Sequence, residues 1–159
     1  MNKKGFTLIE LLVVIAIIGL LSTLAVFSLN SARTKARDAK RISDMKMLST
    51  AMEMFATEGG TYLNAMGTEA AAGELVSDQS AIEYGDETLL DLSTIQDPSG
   101  SGECVSGGGL CDYTLGTTPN GTGYEICFYI EKSAGNLTGD GVYKLVAGGS
   151  MSKGCTLTE

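Results

Sequence analysis

The chain has 159 residues, a formal net charge of −8, and neither histidine nor tryptophan. Without histidine there is no Ser-His-Asp or Cys-His nucleophile, no imidazole base and no imidazole metal ligand. The charge is divided: residues 1–58 hold 8 basic and 5 acidic groups, residues 59–159 hold 3 and 14, so the distal part sits at −11 and lacks the Lys and Arg that phosphate contacts need, which argues against nucleic acid as a partner.

The N-terminal stretch opens with Lys3 and Lys4, then Gly5, then an apolar run from Phe6 to Phe27 interrupted by one charge, Glu10. As a helix rising about 1.5 Å per residue the run spans roughly 33 Å, close to the thickness of a hydrocarbon core. A secretory signal would end in a small-residue cleavage site, but Ser28-Leu29-Asn30-Ser31-Ala32 leads on into another helical pattern, so the run reads as retained. Lys3 and Lys4 would hold the N-terminus on the cytoplasmic side. A carboxylate in such a segment is costly unless paired and marks function by default. The plain alternative is a single-pass anchor with a stray acid near its end.

The stretch Lys3-Lys4-Gly5-Phe6-Thr7-Leu8-Ile9-Glu10-Leu11-Leu12-Val13-Val14-Ile15-Ala16-Ile17-Ile18-Gly19 resembles the N-terminal signature of type IV pilins and type II secretion pseudopilins. The resemblance implies a leader, residues 1–5, that a prepilin peptidase removes by cutting after Gly5. It also implies N-methylation of Phe6, a transmembrane and later filament-core helix over 6–29, and Glu10 as the assembly acid. The physical reading agrees. Cutting after Gly5 creates a cationic amine at the head of an apolar helix, and both that amine and Glu10 need partners in a low-dielectric setting. Within one helix they can pair; between staggered subunits, the pairing would set register. The chain departs from many type IV pilins in having no proline before Pro98, so Gly19 and Ser22-Thr23 are the weak points of the helix.

Residues 30–58 continue the helix in amphipathic form. Ala32, Ala36, Ala39, Ile42, Met45, Leu48, Met52 and Phe55 recur at steps of three and four. The expectation is that this stripe packs on a head while the charges face outward, the basic patch Arg33–Arg41 meeting lipid headgroups or acidic surfaces of neighbours. Gly59-Gly60 stops the helix, and residues 59–159 form the head. Gly60-Thr61-Tyr62-Leu63 keeps part of a Gly-x-Tyr-Pro turn seen in pseudopilins and lacks its proline. Beyond it, residues 64–87 read as a surface connection with a short helix over Asp78–Tyr84, and Thr88–Ile95 as a strand or short helix. Asp97-Pro98-Ser99-Gly100 is a turn. Strands are expected at Tyr124–Glu131, where Tyr124, Ile126, Phe128 and Ile130 alternate with other residues, at Val142–Ala147, and from Tyr113 to Leu115.

The four cysteines, Cys104, Cys111, Cys127 and Cys155, all lie in the head. Their even count beyond a membrane segment favours two disulfides in an oxidising compartment; zinc is the rival, without a C-x-x-C pair to support it. Of the three pairings, Cys104–Cys111 with Cys127–Cys155 is preferred: the first closes a Gly-rich loop and the second ties a strand to the C-terminus. Asn136–Gly141 has the oxygen-bearing spacing of a calcium loop but no closing Glu. Since some pseudopilins bind calcium in C-terminal loops, Asp97, Asp112 and Asp140 are the calcium candidates, with a hairpin turn the preferred reading. No other cofactor is expected. Asn120-Gly121-Thr122 and Asn136-Leu137-Thr138 match the glycosylation sequon and equally suit turns.

The expected fold class is α+β: a long N-terminal helix, apolar then amphipathic, packed against a small antiparallel sheet with disulfide-tied loops. The function that follows is a structural, non-enzymatic subunit of a type IV pilus-like filament. Its alternatives are a type II secretion pseudopilin and a minor pilin or surface binding module. The partners implied are further copies through the N-terminal helix, the prepilin peptidase, the membrane and an assembly machinery. The implied location is a single-pass inner membrane form with its head outside the cytoplasm, then a surface or periplasmic filament.

Overall fold

The computed structural model describes residues 5–67, 70–104 and 108–155, with the side chain of Leu63 left aside; Lys3 and Lys4, and with them most of the expected leader, lie outside the described residues. One helix dominates. α1 runs Leu8–Thr57 without interruption at Gly19 or at Ser22-Thr23, whose hydroxyls donate to the carbonyls of Ile18 and Leu20. It stops at Gly59, whose φ of 96° is a left-handed conformation that glycine adopts without strain, while the Gly60 N–H closes back on the Phe55 carbonyl.

The chain divides into two compact units, residues 1–34 and 35–159. In the first, the side chains from Phe6 to Leu29 are exposed, and the helix is long and apolar enough to cross a membrane. The second contains the rest of α1, so the amphipathic half is part of the head's own core rather than a separate connector.

After α1 come the short helix α2 (Tyr62–Ala65), a 3-10 turn (Val76–Asp78), and the hairpin β1 (Ile82–Tyr84) and β2 (Glu87–Leu90). The helix expected over Asp78–Tyr84 is therefore replaced by the end of a 3-10 turn and a strand. Ile82 is the fully buried residue of that strand, and the segment takes strand geometry from its antiparallel pairing with β2, Ile82 opposite Leu90 and Tyr84 opposite Glu87. The segment after β2 resolves into a 3-10 turn (Leu92–Thr94), capped by the Asp91 side chain. The main sheet is antiparallel, in the order β3 (Thr114–Thr117), β4 (Glu125–Ile130), β7 (Gly141–Val146), β8 (Ser150–Lys153). Strand β8 was not anticipated, because Ser150–Lys153 has little alternation to read. The calcium-like segment forms the turn and second strand of a hairpin, β5 (Ser133–Ala134) with β6 (Leu137–Thr138).

Strand β4 is buried on both faces, and period two explains how. Ile126, Phe128 and Ile130 join Tyr143 and Leu145 of β7 in one core with Met45, Leu48, Met52 and Phe55 of α1. On the other face, Cys127 and Val142 pack with Cys104, Cys111, Tyr129 and Cys155. The cysteines are joined Cys104–Cys111 and Cys127–Cys155, with Cα–Cα separations of 4.9 and 5.7 Å. The two bridges thus cover the face of the sheet opposite α1. In small secreted domains each such bridge is worth about 2–5 kcal/mol.

Candidate functional site

Two clusters of polar chemistry stand out, one at the start of α1 and one inside the head. At the start, Gly5, Phe6 and Thr7 precede the helix and are exposed, so the Gly5–Phe6 bond is accessible. Glu10 lies in the first turn. Its Oε2 accepts from the Thr7 backbone N–H at 2.9 Å and from the Thr7 hydroxyl at 2.7 Å, while the Glu10 N–H donates to Thr7 Oγ1 at 3.3 Å. This reciprocal arrangement is a capping box: a Thr before the helix and a Glu three residues on satisfy each other's orphan N–H groups. Helix termini leave such groups unpaired, which in hydrocarbon is costly. Within one chain, then, the partner of Glu10 is Thr7. The T-x-x-E spacing at Thr7–Glu10 is legible in the sequence as a helix start.

The second cluster corrects the expectation that the charges of the amphipathic half face outward. Asp38, Arg41 and Asp44 are buried on the same face as Met45, Leu48 and Met52. Arg41 has no exposed surface, and all five of its donors are used. Nε and one terminal nitrogen grip both oxygens of Asp97 at 2.5 and 2.9 Å. That nitrogen also reaches Ser99 Oγ at 2.8 Å, and the other donates to Asp38 Oδ1 and Glu131 Oε1, each at 2.8 Å. Asp38 in turn accepts from the backbone N–H groups of Glu131 and Lys132, and Asp97 from those of Ser99 and Gly100. Arg37 holds Glu131 with two contacts of 2.6 Å. One turn further on, Asp44 accepts from the buried Tyr113 hydroxyl and from Lys40.

The electrostatics follow from this geometry. Burial alone would weaken the charge of Arg41, but Asp97, Glu131 and Asp38 outweigh it and raise its pKa. Glu131 is held down to about 2, first by its hydrogen bonds to Arg37 and then by Arg41, against burial that opposes them. Burial and the Asp44 carboxylate push the Tyr113 hydroxyl far up. The basic patch read as a membrane or neighbour contact is thus largely spent inside the head: Arg37, Lys40 and Arg41 all pair within it. The turn Asp97–Gly100 packs closely enough on Cys111 that a Cβ at Gly100 would collide with the Cys111 carbonyl. This cluster therefore ties α1 to the disulfide-bearing loop and to the end of β4.

A pH dependence follows from Glu131. A carboxylate with a folded pKa below its ordinary 4.5 contributes stability above 4.5 that is lost as pH falls toward 2. The expected loss on acidification from pH 5 to pH 2 is about 3 kcal/mol from this group. Thermal unfolding of the full chain in detergent across that range checks it. Glu131→Gln should start less stable at pH 7 and have a flatter acid limb; an unchanged limb would count against the assignment.

The calcium candidates are placed as follows. Asp97 is taken up by Arg41 and its own turn. Asp112 Oδ1 accepts from the N–H groups of Asp97 and Tyr113. Asp140 is exposed, and its backbone carbonyl accepts from Lys153. Among the described residues these three do not converge. The metal-type group that does converge is Glu125, Cys127 and Cys155, whose two sulfurs are committed to the disulfide. Both sequon asparagines sit in turns; the Asn120 side chain accepts from the N–H groups of Thr122 and Gly123.

Comparison with known proteins places the N-terminal cluster. Residues 1–26 match the model of the prokaryotic N-terminal methylation motif. The chain is 38% identical over 80 residues to type II secretion system core protein G of Klebsiella pneumoniae, covering 50% of this chain and 55% of that protein. It is 32% identical over 110 residues to the type IV major pilin protein PilA of Myxococcus xanthus, covering 66% and 49%. Over 91 residues it is 32% identical to a fimbrial protein of Pseudomonas aeruginosa, covering 57% and 54%. The chain spans about half the length of these relatives. No solved structure matches it. A capped apolar helix headed by Gly-Phe-Thr-Leu-Ile-Glu and the methylation motif make the N-terminal segment of the chain similar to those of type IV pilins and of type II secretion core protein G.

Proposed function

We propose that the chain is a structural subunit of a type IV pilus-like filament, made as a membrane prepilin, cut after Gly5, methylated on Phe6 and polymerised through α1. The observation that carries this reading is an apolar helix, exposed along its side chains from Leu8 to Leu29, with one acid in its first turn. Such a surface is stable in water only when covered, first by lipid and later by other helices. In the uncut chain Glu10 is satisfied by Thr7. After cleavage the Phe6 amine lies beside that carboxylate, and a neighbour's Glu10 can compete for it. The head would then lie outside the cytoplasm, where its disulfides persist. The chemistry is assembly, not catalysis. A role as a type II secretion pseudopilin is the second reading, favoured by the similarity to core protein G.

Mass spectrometry of the chain from cells that carry a prepilin peptidase tests the proposal. The expected product lacks Met1–Gly5 and carries one added methyl on Phe6. An intact N-terminus in membranes and filaments alike would overturn it.

A further inference from the structure

The stretch from Gly59 to Glu131 contains no lysine or arginine. Its most prominent acidic feature is the tip of the β1–β2 hairpin, Glu83-Tyr84-Gly85-Asp86-Glu87, every residue of which is exposed. Tyr84 is the aromatic of this tip, 41% exposed, braced by its hydroxyl on the Glu58 carbonyl at 2.6 Å and by its ring edge-on to Phe55 at 6.2 Å. The tip is therefore fixed at the C-terminal end of α1.

The complementary surface is a groove between α1 and the β5–β6 hairpin, formed by two adjoining hollows of 430 and 340 Å³. Its floor is apolar, built by Ile42, Ala134, Leu137 and Met151. Lys35 and Lys46 stand along the helix side, three turns apart, both exposed. Unlike Arg37, Lys40 and Arg41, neither has an ion pair among the described residues. An aromatic flanked by three carboxylates matches an apolar floor flanked by two ammonium groups in both hydrophobicity and charge.

We propose that the Glu83–Glu87 tip of one copy docks in the Lys35–Lys46 groove of the next. The occupant is a second copy because both halves of the match occur on one chain, and because they lie at different levels along α1. Between Lys46 or Lys35 and Glu58 the helix rises about 18–35 Å. A surface at one level meeting its complement at another is a heterologous contact, which repeats as an open helical array rather than closing as a dimer. This proposal rests on the filament reading and names a contact between heads, separate from the α1 apolar segment and from Glu10.

The test uses the full chain in cells that assemble it. Lys35→Glu with Lys46→Glu, and separately Glu83→Lys with Asp86→Lys and Glu87→Lys, should each lower sheared filament per membrane subunit by about tenfold, since juxtaposed like charges disfavour docking. Both sets combined in one chain should recover most of the loss. Two silent sets, or a combination no better than the worse of its parents, would overturn the proposal. Carbodiimide, which joins a lysine to a carboxylate without a spacer, should link Lys35 or Lys46 to Glu83, Asp86 or Glu87 between isotopically light and heavy copies in membranes. Links confined to one copy would equally overturn it. If the unaltered chain makes no filament, the filament reading falls, and this crosslink still decides whether the tip and groove meet.

Discussion

Arg41→Ala is expected to remove about 3–5 kcal/mol from the stability of the head, since it leaves Asp38 and Asp97 buried without their cation. Small domains are stable by only about 5–15 kcal/mol, so the loss takes a large share of the whole. In thermal unfolding of the detergent-solubilised chain the midpoint should drop by roughly 10–20 °C. Arg41→Lys should recover little of this, because an ammonium offers three donors in place of a planar five-donor fork. Arg41→Met combined with Asp38→Asn and Asp97→Asn should be milder than Arg41→Ala if the damage comes from unpaired charge rather than lost packing. A midpoint for Arg41→Ala within a few degrees of the parent would mean the cluster is not what fastens the Asp97–Gly100 turn and the end of β4 to α1.

Glu10→Ala should leave membrane insertion and head folding intact and reduce filament by at least about tenfold, the effect of leaving a neighbour's amine unpaired in a low-dielectric core. The structure adds a control that the bare charge argument lacks. Glu10 also caps its own helix through Thr7, so its loss has two consequences. Thr7→Ala removes the cap, worth about 1 kcal/mol, and keeps the carboxylate. If register is the role of Glu10, Thr7→Ala should assemble nearly as well as the parent chain. If Thr7→Ala fails as badly as Glu10→Ala, capping is the dominant role and the register account is wrong. Normal filament from Glu10→Ala would dispose of both.

The two variants probe parts of the chain that differ in how visibly they are written. α1, its apolar half and its stop at Gly59 could be read directly, because periodicity, hydropathy and glycine are local signals. Strands β4 and β7 were visible for the same reason: Ile126, Phe128 and Ile130 alternate, and so do Tyr143 and Leu145. Strands β8 and β1 were not, and Thr88–Ile95, which holds most of β2, reads equally as strand or short helix, since Ser150–Lys153 and Ile82–Leu90 acquire strand geometry mainly from the partners they pair with. The residues that cap the helix, Thr7 and Glu10, were in plain view and only their mutual hydrogen bonding was missed.

An apolar helix led by an acid, a glycine-terminated amphipathic continuation, and an acidic, cysteine-containing α+β head are all written locally in the chain. These depend on composition and on spacings of two to four residues. That Asp38, Arg41 and Asp44 turn inward depends on the folded chain. A charge on an amphipathic helix reads as outward because burial without a partner is prohibitive. The partners that reverse the sign, Asp97 and Glu131, lie 56 and 90 positions away from Arg41 along the chain. No helical period carries that information; folding brings those carboxylates to the guanidinium, and only then does burying the charge become favourable.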